Sequence, residues 1–84
     1  MTETSSGSSE ASVLQVDACG LRCPMPLLRA KQALSKLPVG GRIKVLATDA
    51  GSVRDFRAYA ELSEHLLISQ SEDGGVYTHV LQKG

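Results

Sequence analysis

Apolar and polar positions alternate with two different periods along this chain, and the change of period marks its elements. In Val13-Leu14-Gln15-Val16-Asp17, Leu14 and Val16 alternate with Gln15 and Asp17, which predicts a short strand. Ala18 to Cys23 contains Gly20 and reads as a loop. From Pro24 to about Leu37 the apolar residues Leu27, Ala30, Leu34 and Leu37 recur at spacings of three and four, the mark of one helical face. Pro38-Val39-Gly40-Gly41 ends that helix. Ile43, Val45 and Ala47 then alternate with Arg42, Lys44 and Leu46, a second strand.

Gly51-Ser52 opens a second helix, with Ser52 and Asp55 at capping-box spacing and Val53, Phe56, Tyr59 and Ala60 as its inward stripe. His65 to Gln70 reads as a third strand and Val76 to Gln82 as a fourth, joined through the tight turn Asp73-Gly74-Gly75. The order β-α-β-α-β-β predicts an α+β, two-layer sandwich: a four-stranded mixed sheet with two helices on one face. The first β-α-β unit should have parallel strands. The sheet's other face is left partly open, or covered by loops or a partner. Strand order is not set by the sequence order.

Residues 1–12 are rich in Ser, Thr and Glu and hold no apolar anchor beyond Met1, so they are expected to form a disordered tail ahead of a domain spanning residues 13–84. Hydrophobic residues make up 42% of the 84 and Trp is absent, which allows a modest aliphatic core. The longest aliphatic string, Leu66-Leu67-Ile68, falls far short of a membrane span. No secretory signal pattern follows Met1, and two cysteines make no secreted disulfide scaffold, so a cytoplasmic protein is expected.

Nine basic residues balance nine acidic ones. That argues against a dedicated nucleic-acid binder, whose domain usually has a pI above about 9. The balance is uneven along the chain. Arg22, Arg29, Lys31, Lys36, Arg42 and Lys44 lie between Asp17 and Asp49 with no acid among them.

Candidate chemistry sits at the edge of that basic segment. With Pro24 at the first helical position, Cys23 is the expected N-cap and Pro26 stays within the first turn. The Met25 N–H would then point at the Cys23 sulfur, and the helix dipole and Arg22 would favour its thiolate. Cysteines so placed have pKa values of roughly 3.5–7.5 against about 8.5 for a free thiol. Cys23 is therefore expected to be an exposed nucleophile, ionised near neutral pH. Cys19 lies at Cys-x-x-x-Cys spacing from it, not the redox Cys-x-x-Cys, and is read as a small space-filling residue, with a resolving thiol as the alternative. A zinc site from Cys19, Cys23, His65 and His79 would need two distant histidines to converge. His65 is read instead as a strand-entry residue and His79 as a solvated strand residue. Asp49 and Asp55 are assigned loop and cap roles.

Gly20-Leu21-Arg22-Cys23-Pro24-Met25-Pro26 resembles the Cys-Pro-x-Pro signature of the TusA/SirA family of small sulfur carriers. Asp49-Ala50-Gly51-Ser52-Val53-Arg54-Asp55-Phe56 looks like that family's second loop and helix start, and Gly75-Val76-Tyr77 with Lys83-Gly84 like its terminal hairpin. The resemblance implies that Cys23 accepts sulfane sulfur as a persulfide and passes it on. Pro24 and Pro26 would shape the helix start, while Arg54 and Asp55 would support the neighbouring loop or a docking surface. It implies a donor such as a cysteine desulfurase or rhodanese-like protein, a downstream acceptor protein, no metal or organic cofactor, no direct nucleic-acid or membrane binding, and a monomer. Three departures from common members stand out: Met25 replaces an acidic residue, Ala50 stands where Pro is frequent, and Cys19 is an additional thiol. A thiol-disulfide redox or regulatory protein using Cys19 and Cys23 is the competing function, and a binding module without chemistry a third.

Overall fold

A computed structural model describes residues 13–84, so the expected tail at residues 1–12 lies outside the described residues. The chain runs β1 (Val13–Ala18), α1 (Met25–Ser35), β2 (Arg42–Ala47), α2 (Gly51–Leu62), β3 (Leu66–Asp73) and β4 (Val76–Gln82). The sheet order is β1-β2-β4-β3. β1 pairs parallel to β2 through the α1 crossover, and β4 lies antiparallel to both β2 and β3. This is the predicted two-layer α+β arrangement. No helix among the described residues is long and apolar enough to cross a membrane.

The period-2 pattern of β2 sorts its side chains as expected. Ile43, Val45 and Ala47 are buried, while Arg42 and Lys44 are exposed on the far face. Ala30, Ala33 and Leu34 of α1 and Phe56 of α2 meet Ile43, Val45, Ala18 and Leu81 in one core cluster, which places both helices on the same face. The small alanines let α1 sit close to β1 and β2, and the one phenylalanine fills the space under α2. α1 ends two residues before Leu37, where the Lys36 and Leu37 amides turn back to Ala33 and Leu34 at 3.1 Å.

The hairpin turn needs its glycines. Gly74 and Gly75 have φ of 59° and 88°, and Asp73 pairs with Val76 across the two-residue loop. Two successive positive φ values match the right-handed twist of the flanking strands.

The structure differs from the expected β3 in length and regularity. The strand runs on to Asp73, with a bulge at Ile68 between the pairs Leu67–Leu81 and Ser69–Val80. One extra residue reverses the alternation beyond it, so Gln70 faces the helices opposite His79.

His79 is not solvated; it is fully buried. It shares a face of β4 with Leu81, and its ring stacks on Phe56 with centroids 4.3 Å apart and planes at 10°. Its polar atoms are satisfied by a chain of hydrogen bonds. Arg57 Nε donates to Gln70 Oε1 at 3.0 Å, and Gln70 Nε2 donates to the Val53 carbonyl at 3.1 Å. These two contacts fix the Gln70 amide, so its nitrogen also donates to His79 Nδ1 at 3.1 Å. Nε2 then carries the proton and donates to Ser52 Oγ at 2.9 Å.

Burial pushes the His79 pKa down from 6.5 to about 4. In that window the unfolded chain binds a proton that the folded chain refuses, so stability rises with pH. Acidification from above 6.5 to below about 4 should remove up to about 3 kcal/mol through this residue. Thermal midpoints measured against pH should fall across that window, and His79→Gln should flatten the slope.

Candidate functional site

Parallel pairing sets the location of the site. β1 and β2 finish side by side at the register Ala18–Ala47, so the chain leaves both strands at the same end of the sheet. The loops that follow, residues 19–24 and 48–50, lead into the starts of α1 and α2. They are tied together: the Gly20 amide donates to Thr48 Oγ at 2.8 Å, and the Cys23 amide to Asp49 Oδ2 at 2.5 Å. Asp49 Oδ1 accepts the Gly51 amide at 3.3 Å, and the Asp49 carbonyl accepts the Ser52 amide at 3.0 Å. One aspartate thus starts α2 and holds the backbone of Cys23.

Cys23 is exposed and its thiol is free. It is not the cap of α1. Pro24 occupies that position, after a cis Cys23–Pro24 peptide bond, and no side chain caps the helix. The Met25 amide expected at the sulfur donates instead to the Arg22 carbonyl at 2.8 Å. Pro26 lies buried in the first turn, while Arg22, Pro24 and Met25 are exposed.

The sulfur has a different partner. Cys23 Sγ donates to Asp55 Oδ2, five residues into α2. The capping box expected of Ser52 and Asp55 is therefore absent. Ala50 is the cap of α2 and makes no side-chain bond there; Ser52 turns inward to His79 and Asp55 turns outward to Cys23.

This reverses the expected ionisation. The hydrogen bond to Asp55 holds the thiol proton, lost hydration and the charges of Asp55 and Asp49 push the same way, and Arg54 opposes them. The Cys23 pKa is raised. A half-charge spread over a helix end does not outweigh a carboxylate in direct contact with the thiol. Cys19 is also raised, by reduced hydration of its sulfur and by the hydrogen bond and charge of Asp17. Asp17 Oδ1 also accepts the Cys19 amide at 3.1 Å.

Of the predicted site residues, Cys23, Pro24, Pro26, Arg54 and Asp55 converge on this end of the molecule, with Arg22 on the loop. His65 and His79 do not join them, and no group of three metal-ligating side chains occurs among the described residues. Asp49 was assigned only a loop role. Its signal was its place at the end of a strand parallel to the one preceding Cys23, where an acceptor meets the neighbouring loop's amides.

Alkylation of Cys23, followed against pH in a Cys19→Ala background, should show a midpoint above that of free cysteine. A midpoint below it would restore the helix-cap account and remove Asp55 from the sulfur.

The family model described as sulfurtransferase TusA matches residues 14–83. A protein of Neisseria meningitidis serogroup A is 46% identical over 67 residues, covering 80% of this chain and 90% of that protein. The sulfur carrier protein TusA of Allochromatium vinosum is 42% identical over 69 residues, covering 82% of this chain and 91% of its own length. The crystal structure of a SirA-like protein from Desulfitobacterium hafniense aligns with a TM-score of 0.74 at 32% identity, covering 84% of this chain and 97% of that one. The match runs from β1 to the residue beyond β4 and extends to the fold itself, so the chain belongs to the TusA family.

Proposed function

We propose that this protein is a sulfur carrier, taking sulfane sulfur onto Cys23 as a persulfide and passing it to an acceptor protein. The observation that carries this reading is an exposed thiol outside any disulfide, in contact with Asp55 of α2 on a residue whose amide Asp49 holds, in a chain of the TusA family. Family membership implies sulfur donors and acceptors in general. A cysteine desulfurase or a rhodanese-like protein is a donor of suitable chemistry, because each presents sulfur as a protein persulfide. Delivery to transfer-RNA thiolation, cofactor assembly or sulfur oxidation would use the same step.

Exposure supports the reading, since transfer requires the donor's outer sulfur to reach Sγ in line with its S–S bond. Met25 and Leu28 lie exposed on the first turns of α1 beside the Cys23 loop, an apolar margin against which a partner protein can close. In this reading the carrier acts in the cytoplasm as a monomer, needs no metal or organic cofactor, and binds neither nucleic acid nor membrane. The redox alternative is less well supported, because Cys23 Sγ is turned to Asp55 and the Cys19 amide is held by Asp17, so neither residue is bound to the other. Cys19 is accordingly assigned no role in loading.

Incubation with a cysteine desulfurase and cysteine, followed by intact-mass measurement, tests the proposal. The protein should gain one or more sulfur atoms, removable by reductant. Cys23→Ser should abolish the gain and Cys19→Ala should retain it. A loss of two hydrogens on oxidation without any sulfur gain would replace the carrier reading with the redox one.

A further inference from the structure

Resting on the carrier reading, we propose that Asp55 is a catalytic residue of sulfur transfer, relaying the thiol proton from Cys23 to the donor during loading and a proton from the acceptor to Cys23 during delivery. A carrier that needed only a thiolate would keep its cysteine away from carboxylates. Here Asp55 Oδ2 touches Sγ itself, and Asp49 holds the same residue's amide at 2.5 Å. The surroundings permit proton exchange. Asp55 is half-buried on α2, and Cys23 is exposed. The charged groups acting on the thiol are Asp49 from the loop after β2 and Arg54 and Asp55 from α2, with Arg22 adjacent in its own loop. Arg54 favours negative charge at the site and partly offsets the two carboxylates.

The step balances without an external oxidant or reductant. The Sγ–H proton passes to Asp55 Oδ2 while its electron pair stays on Sγ, which attacks the outer sulfur of a donor persulfide. A new S–S bond forms on Cys23 as the donor's S–S bond breaks. The electron pair of the broken bond leaves on the donor's inner sulfur, which takes the proton from Asp55. The outer sulfur and its own proton now reside on Cys23. Delivery runs the same course in reverse. An acceptor thiol gives its proton to Asp55 as its sulfur attacks that outer sulfur. The S–S bond on Cys23 breaks with its electron pair leaving on Sγ, and Asp55 passes the proton to the departing Cys23 sulfur. Within each half the carboxylate acts first as base and then as acid, so the proton passes between the two sulfurs without exchanging with water.

Position also explains how the carboxylate is aimed. Ser52, one turn before Phe56 and three residues before Asp55, is anchored by His79, and its amide by the Asp49 carbonyl. The chain from Arg57 on the surface through Gln70 to the buried His79 and Ser52 therefore fixes the start of α2, from which Asp55 follows.

The test compares two rates in a Cys19→Ala background: alkylation by iodoacetamide and sulfur acceptance from glutathione persulfide, both across a pH series. Asp55→Asn should lower the alkylation midpoint and speed alkylation near neutral pH, yet slow sulfur acceptance by about 10²-fold. Asp55→Glu, which keeps a carboxylate, should restore the higher midpoint and recover part of the acceptance rate. The opposite movement of the two rates separates proton transfer from a structural defect, which would not accelerate alkylation. Acceptance that rises with alkylation in Asp55→Asn, or does not change, would overturn the proposal and leave the carrier reading intact. So would a Glu variant that restores the midpoint without the rate. Failure of the Cys19→Ala protein with Asp55 intact to take up sulfur, while Cys23 still alkylates, would overturn the carrier reading and this proposal with it.

Discussion

Two aspartates, Asp49 just ahead of α2 and Asp55 within it, hold the loop that precedes α1, and the surroundings of Cys23 depend on that contact. Asp49 accepts the backbone amide of Cys23 and Asp55 accepts its thiol proton. Each contact crosses between segments far apart in sequence, and both exist because β1 and β2 run parallel and end at the same level. Had β2 been antiparallel to β1, the residues following β2 would lie at the opposite end of the sheet. The parallel pair, with its α1 crossover, is thus the feature of the fold most directly tied to the site.

The second half of the molecule stiffens this arrangement from behind. β4 pairs with the other side of β2 and contributes Leu81 to the core and His79 beneath α2. The bulge at Ile68 turns Gln70 toward His79, where it satisfies one ring nitrogen, and Ser52 satisfies the other. A neutral histidine so enclosed can stack on Phe56 and still leave no ring nitrogen unpaired. The same enclosure makes the fold sensitive to acid, because a proton on Nδ1 would remove the acceptor that Gln70 requires.

A thiol held protonated and a thiol ready to transfer sulfur are compatible when the holding group can itself take the proton. Oxidation and alkylation proceed through the thiolate, so a raised pKa protects an exposed cysteine from unselective attack. Reaction with a docked persulfide differs, since the leaving sulfur needs a proton at the moment Cys23 gives one up. In the proposed role, the electrostatics at Cys23 would therefore favour exchange with a partner over capture by small electrophiles.

Periodicity alone determined the element order, the buried face of β2 and the two-glycine hairpin, because these depend on neighbours in sequence and on the reach of a few residues. Cys23 beside two prolines at a helix start marked the candidate position for the same reason. The sign of its pKa shift did not follow from that local view: Asp49 and Asp55 are 26 and 32 residues away along the chain and become neighbours only through the parallel pairing. Ser52 and Asp55 have the spacing of a reciprocal cap, yet stronger partners, His79 and Cys23, take both side chains once the layers close. His79 shows the same limit. Its place in the fourth strand was legible, but its burial required Phe56 from α2 and a bulge in β3 that no local pattern announces. Sequence determined what the short-range physics controls, and tertiary structure decided which charges and rings would meet.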